Sequence, residues 1–269
     1  MSAQPSLAGR TEPTAAIRLF SCSSIRPESR TMPEPITVVL VHGAFAESSS
    51  WSGVLANLLG RGVAAIATPN PLRSVTTDAD NVRRAAESVG GPVLIVGHSY
   101  GGAVITEAAV GTDVVKGLVY VAAFAPDHGE TALELSGQFP GSTLGETIRA
   151  YPLGDGTNDL IVDRELFANQ FAGDIPLEEA RIAAATQRPI RDFALGEPQP
   201  AATPAWKRLP SWFVFGTGDK NIPAEGLRFM ADRAGSLKTV EIEGASHSVM
   251  VSNPAAVADL VVEALTYLS

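Results

Sequence analysis

Residues 93–110, VLIVGHSYGGAVITEAAV, set four consecutive apolar residues directly ahead of a serine bracketed by glycines, after which the apolar spacing becomes helical. A strand that is apolar at every position is covered on both faces, as in a parallel sheet sandwiched between helices. Turning from strand to helix within five residues forces the central residue into a strained conformation. Its neighbours two positions away must then lack Cβ atoms for the chain to pass itself. Gly97 and Gly101 meet that need. The G-x-S-x-G pattern therefore lifts Ser99 clear of the sheet at a helix N-terminus, where free N–H groups and the helix dipole favour a developing anion.

The same two periods recur along the chain. ITVVLV (36–41), VAAIAT (63–68), GLVYVAAF (117–124), SWFVFG (211–216) and LKTVEIEG (237–244) read as further buried strands. Between them, SSWSGVLANLLGRG carries serine caps and a terminal glycine, and TTDADNVRRAAESVGG stops at Gly90. PAEGLRFMADRAG opens on Pro223 and closes on Gly235, and NPAAVADLVVEALTYL has Asn253 as cap and Pro254 at the first helical position. Repeated strand–helix alternation predicts an α/β fold with a doubly wound, mostly parallel sheet. Between Phe124 and Ser211 the alternation stops for roughly 85 residues, long for a crossover. NDLIVDRELFANQFAG and PLEEARIAAATQ in this stretch both read as helices, so about 127–208 is expected to be a helical lid inserted over the carboxyl ends of the strands. An open α/β sheet binds its ligands at those ends.

Composition narrows the function classes. With 269 residues and 45% apolar content the chain suffices for one large folded unit. The net charge of −9, without a dense basic run, argues against a nucleic-acid partner. No apolar run is long enough to span a bilayer. The single Cys22 excludes an internal disulfide and a cysteine-based metal site, and His42, His98, His128 and His247 lack metal-ligand spacing. No metal or cofactor is expected. Residues 1–35 are rich in Ser, Pro and Arg and lack the apolar stretch of a secretory signal. They are expected to be a disordered extension ahead of a folded body at 36–269, and the location to be cytoplasmic. Met32 sits just before the first strand and is a candidate start of the functional chain.

A serine hydroxyl needs a base, and the base needs a carboxylate to hold its tautomer. His247, in EGASHSVMVSNP between the last strand and the last helix, completes the chain order serine, acid, histidine. Asp219 ends WFVFGTGD and is the favoured acid; Asp127, after VYVAAFAP, is its competitor from the preceding strand. The turn after the first strand, His42-Gly43-Ala44, can aim the Ala44 N–H at the same point as the Tyr100 N–H, forming an oxyanion hole. His42 and His98 are expected to shape loops near the pocket, and His128 to be exposed. Phe124, Phe139, Leu166, Phe167, Phe171 and Trp206 are the candidate lining.

VVLVHGAFAESSSW, VLIVGHSYGGAVI and VYVAAFAPD together resemble the α/β-hydrolases, and within them the branch of plant methylesterases and hydroxynitrile lyases. The resemblance covers nearly everything after residue 35, and it implies a metal-free, cofactor-free hydrolase lacking the family's two leading strands. Lyases of the branch carry a threonine and a lysine where this chain has Gly43 and Ser248, and Ser99 stands where epoxide hydrolases and dehalogenases carry aspartate. The expected function is a serine hydrolase that cleaves small, largely apolar carboxylic esters through an acyl-enzyme. Alternatives are amide, lactone or C–C hydrolysis, haloperoxidase-like chemistry with the same triad, and a non-catalytic small-ligand-binding protein. Because residues 1–31 show no periodic apolar face, a chain beginning at Met32 should melt within a few degrees of the full chain. A larger loss in a thermal melt would show that the segment docks.

Overall fold

The six apolar runs pair into one sheet, whose inner strands hide rows of Val, Ile, Leu and Phe that no single helix could cover. In the computed structural model, which describes residues 1–2 and 34–269, they are β1 (Thr37–Val41), β2 (Ala65–Thr68), β3 (Val93–His98), β4 (Val115–Val121), β8 (Ser211–Gly216) and β9 (Lys238–Ile242). Pro33–Ser269 forms a compact unit of its own. The extension expected at 1–35 falls almost wholly outside the described residues. The sheet order is β2-β1-β3-β4-β8-β9, with every pairing parallel. Burial on both faces holds for the inner strands, with β3 and β8 buried along their whole length. It fails at the two edges, where most residues of β2 and β9 are exposed or only partly buried. An edge strand has one neighbour and less cover, so its lysines and glutamates reach water.

The order reverses between β1 and β3, since the chain leaves β1 outward to β2 and then returns past it. Right-handed crossovers running in opposite directions put their helices on opposite faces. Accordingly α1 (Ser52–Gly60) packs with α11 (Pro254–Leu268), whereas α2 (Val75–Glu87) packs with α3 (Tyr100–Ala108). The carboxyl ends of β1 and β3 lie side by side at this reversal, where a crevice opens. Local chemistry sets the helix ends. The Ser74 hydroxyl accepts from the Thr77 N–H at 3.0 Å to start α2, and Pro254 occupies the first turn of α11. Asn253 departs from expectation: its side chain donates to Ser252 Oγ and caps no N–H.

The insertion between β4 and β8 is not purely helical. It carries α4 (Ala132–Gly137), α5 (Leu144–Thr147), α6 (Phe167–Phe171), α7 (Leu177–Thr186) and α8 (Asp192–Gly196). It also carries a three-stranded antiparallel sheet of β5 (Ile148–Pro152), β6 (Asn158–Val162) and β7 (Ile190–Arg191). NDLIVDRELFANQFAG, expected to be a single helix, is strand β6 followed by the short α6. The remaining helix, α9 (Ala224–Arg233), follows β8, and α10 (Val249–Ser252) precedes α11. Among the described residues no helix is long and apolar enough to cross a membrane.

One close crossing is where α3 folds back against β3. A Cβ on Gly97 would lie 2.6 Å from the Gly101 carbonyl oxygen, so the crossing admits no side chain. Gly97→Ala should destabilise by roughly 1–3 kcal/mol through overpacking, a fall in Tm of about 2–12 °C at roughly 2–4 °C per kcal/mol for a domain of this size. An unchanged melting curve would show that the backbone there yields freely.

Candidate active site

Ser99 holds φ +53° and ψ −124°, an outlier for a residue with a Cβ, at the joint between β3 and α3. Three neighbours fix it there. The Ser99 carbonyl accepts from the Gly102 N–H at 2.9 Å and the Phe124 N–H at 3.2 Å, while its own N–H donates to the Val121 carbonyl at 3.3 Å. The loop after β4 thus braces the turn. Tyr100 is the first residue of α3, so its N–H has no carbonyl partner within the helix.

His247 arrives on the loop between β9 and α10, Asp219 on the loop after β8. The His247 Nδ1–H donates to Asp219 Oδ2 at 2.6 Å, and both side chains are essentially without solvent contact, at 1% and 0% exposure. The other carboxylate oxygen, Asp219 Oδ1, accepts from the Asn221 and Ile222 N–H groups at 2.7 and 3.0 Å. These bonds satisfy a buried anion and leave His247 Nε2 as the free, basic nitrogen of the ring, buried and without a hydrogen-bond partner. Ser99, His247 and Ala44 all line one cavity of about 40 Å³, walled by Phe45, Phe124 and Phe171. Asp127 lies elsewhere: its carboxylate pairs with Lys207 Nζ at 2.6 Å, and that partner, the His128 N–H and Arg233 together hold it below the usual carboxylate range although partial burial opposes them.

The other histidines are struts. His98 is fully buried, its Nε2–H donating to the His247 carbonyl at 3.0 Å with the two rings 4.7 Å apart. Burial, and then the nearby His247, push its pKa well below the ordinary imidazole value, so it stays neutral. His42 Nδ1–H donates to the Gly43 carbonyl and Nε2 accepts from the Asn70 N–H, each at 3.0 Å, tying the turn after β1 to the loop after β2. His128 is exposed, as expected. Of the expected lining, Phe124 and Phe171 face the cavity and Phe167 faces a neighbouring cleft. Phe139 rests on Phe229, Trp206 donates its indole N–H to the Pro126 carbonyl, and Leu166 is partly exposed. None of these three lines the cavity: Phe139 and Trp206 are held by other partners and Leu166 faces outward.

Sequence reasoning missed one group. Asp78, in the first turn of α2, accepts the Tyr100 hydroxyl at 3.0 Å and the Arg73 N–H at 3.1 Å, and is fully buried. Arg73 in turn pairs with Asp159 of β6 at 2.7 Å, so the network links the residue after Ser99 to the lid. An acid one turn inside an otherwise apolar helix face was the available signal. Burial pushes the Asp78 carboxyl up to about 6, against the pull of the Arg73 N–H and the Tyr100 hydroxyl.

A parallel six-stranded sheet with a strained serine at its reversal point and a buried histidine–aspartate pair beside it is the arrangement of the α/β-hydrolase class. The chain belongs to the Alpha/beta hydrolase family, whose profile matches residues 38–260. It is 25% identical over 236 residues to an alpha-hydroxynitrile lyase of Arabidopsis thaliana, covering 80% of this chain and 92% of that one. Among solved structures it resembles polyneuridine aldehyde esterase, with a TM-score of 0.74 at 18% identity over 86% of this chain and 99% of the other. A methylesterase of Arabidopsis, MES16, gives a TM-score of 0.71 at 19% identity over 87% and 100%. At such identities the likeness to the solved structures is one of fold.

The pH dependence of Asp78 has a definite sign. Its folded pKa of about 6 exceeds the ordinary 3.8, so between these values the folded state binds a proton that the unfolded state lacks. Its contribution to stability is therefore full below pH 3.8 and is lost as pH rises through about 6. Asp78→Asn, which cannot ionise, should gain Tm relative to the wild type as pH rises from 4 to 6.5. A constant difference across that range would contradict the assignment.

Proposed function

We propose that the protein is a serine carboxylesterase acting on small, largely apolar esters. The observation that carries this reading is the buried 2.6 Å bond from His247 to Asp219, which leaves His247 Nε2 free in the cavity that Ser99 also lines. Ser99 Oγ attacks the ester carbonyl carbon while His247 Nε2 takes its proton. The Ala44 and Tyr100 N–H groups receive the charge on the carbonyl oxygen. As the tetrahedral species collapses, His247 returns the proton to the departing alkoxide, and the alcohol leaves. Water then attacks the acyl-serine with His247 as base, giving the carboxylic acid and free serine. Asp219 holds the Nδ1–H tautomer and stabilises the imidazolium throughout.

Cyanohydrin cleavage is not part of this reading. A Cβ on Gly43 would lie 2.6 Å from the His98 carbonyl oxygen and 2.7 Å from Ser99 Cβ, so the turn has no room for a hydroxyl-bearing residue as it stands. Ser248 is uncharged, and its hydroxyl donates to the Phe171 carbonyl at 2.9 Å, away from the reacting centre.

The acid is tested by paired substitutions. Asp219→Asn should lower kcat on a short aryl ester by up to roughly 10⁴-fold by favouring the wrong tautomer, with KM much less affected. Asp127→Asn, which loses a pair with Lys207 at the surface, should cost less than about threefold. The reverse order would move the acid to the loop after β4.

A further inference from the structure

The cavity at Ser99 measures about 40 Å³, well below the roughly 300–1,000 Å³ of small-molecule sites. A substrate with a long chain needs further room. Directly behind one wall lies a cleft of about 410 Å³, within the range of small-molecule sites. It runs between α7 and the start of α1, with Phe167, Ile175, Ile182, Ala183, Met250 and Val251 on its walls. Several of its polar side chains are turned to the backbone: Ser50, Ser52 and Thr186 hydroxyls donate to carbonyls at 2.7, 2.7 and 2.9 Å. The Gln187 amide likewise binds the Val162 and Ala184 carbonyls, both at 2.9 Å. Apart from Glu47 and Glu179, the walls offer a ligand mainly carbon.

Two rings divide the spaces. Phe45 and Phe171 line both, edge to face with centroids 6.3 Å apart. Phe171 is pinned, stacked on Phe167 at 5.0 Å and set edge-on to His247 at 4.8 Å. Phe45 has no such stack. It sits at φ +60°, in the turn whose N–H donates to the Arg188 carbonyl of the lid at 3.2 Å. We propose that the cleft is a binding site for a linear, uncharged apolar chain of the ester, reached from Ser99 when the Phe45 ring swings aside. Glu179 on the wall, and Glu47 with its partner Arg188 at 3.0 Å, disfavour a chain ending in a carboxylate. The inference rests on the esterase reading for the identity of the chain, though not for the existence of the site.

The test pairs kinetics with direct binding. Rates on p-nitrophenyl acetate and octanoate, and on ethyl and octyl acetate, read the acyl and alcohol arms separately. Ala183→Trp, which fills the cleft, should lower the long-to-short ratio of kcat/KM at least tenfold in one of the two series. Ile182→Glu, at a position 65% exposed and so tolerant of change, should act in the same direction. In parallel, N-phenyl-1-naphthylamine should fluoresce on binding to Ser99→Ala, and the signal should fall fivefold or more when Ala183→Trp or Ile182→Glu is added. Ratios and dye signal that stay unchanged in well-folded variants would overturn the proposal, as would a dye that never binds. If the wild type cleaves no ester of any length, the esterase reading fails, and the dye titration alone decides the cleft.

Discussion

Everything at the carboxyl edge of the sheet depends on one strained residue, Ser99 at φ +53°. Such a conformation disfavours itself by about 1–3 kcal/mol, and it persists because β3, α3 and the loop after β4 leave the chain no other path. Gly97 and Gly101 allow the crossing, and the Val121 carbonyl and Phe124 N–H clamp it. The clamp fixes more than the serine. It sets where α3 begins, hence where its first N–H groups point, and it seats β1's turn at Gly43 against the same backbone. Strain and preorganisation are here one feature seen from two sides.

The second constraint is electrical. Burying a carboxylate as deeply as Asp219 is unfavourable unless both oxygens find donors. His247 Nδ1–H and two backbone N–H groups supply them. The neutral His98 ring then holds the His247 carbonyl from behind. Asp219, His247 and His98 are thus tied into one set, so a loss at one position propagates to its neighbours. A second set runs from Tyr100 through Asp78 and Arg73 to Asp159 of the lid.

Much of this was legible in the sequence because it is local. The strand, the glycine-flanked serine and the helix lie within 18 consecutive residues, and each of the six apolar runs does become a strand of the sheet. The chain order admitted both Asp127 and the favoured Asp219 as partner of His247, and it is Asp219 that meets the histidine at 2.6 Å. The lid resisted because its structure is set by distant pairing. Asn158–Val162 has the apolar spacing of a helix, yet it pairs with Ile148–Pro152, a mostly exposed strand with no apolar run to announce it. The one local clue was PLGDGTN, where Gly154 and Gly156 take φ +84° and +88° in a hairpin turn. Which aromatic rings face the cavity was likewise illegible, since Phe139 and Trp206 are claimed by partners from α9 and the loop after β4. The edge strands show the same limit: LKTVEIEG pairs as expected, but its exposure depends on having no neighbour beyond it.

The central claim is that Ser99 Oγ is a nucleophile activated by His247, and covalent capture tests it most directly. The folded protein is treated with a fluorophosphonate, and the modified residue is located by peptide mass spectrometry. One adduct per chain is expected, on Ser99, with labelling abolished by His247→Ala. Labelling of another residue, or no labelling of the folded protein, would contradict it.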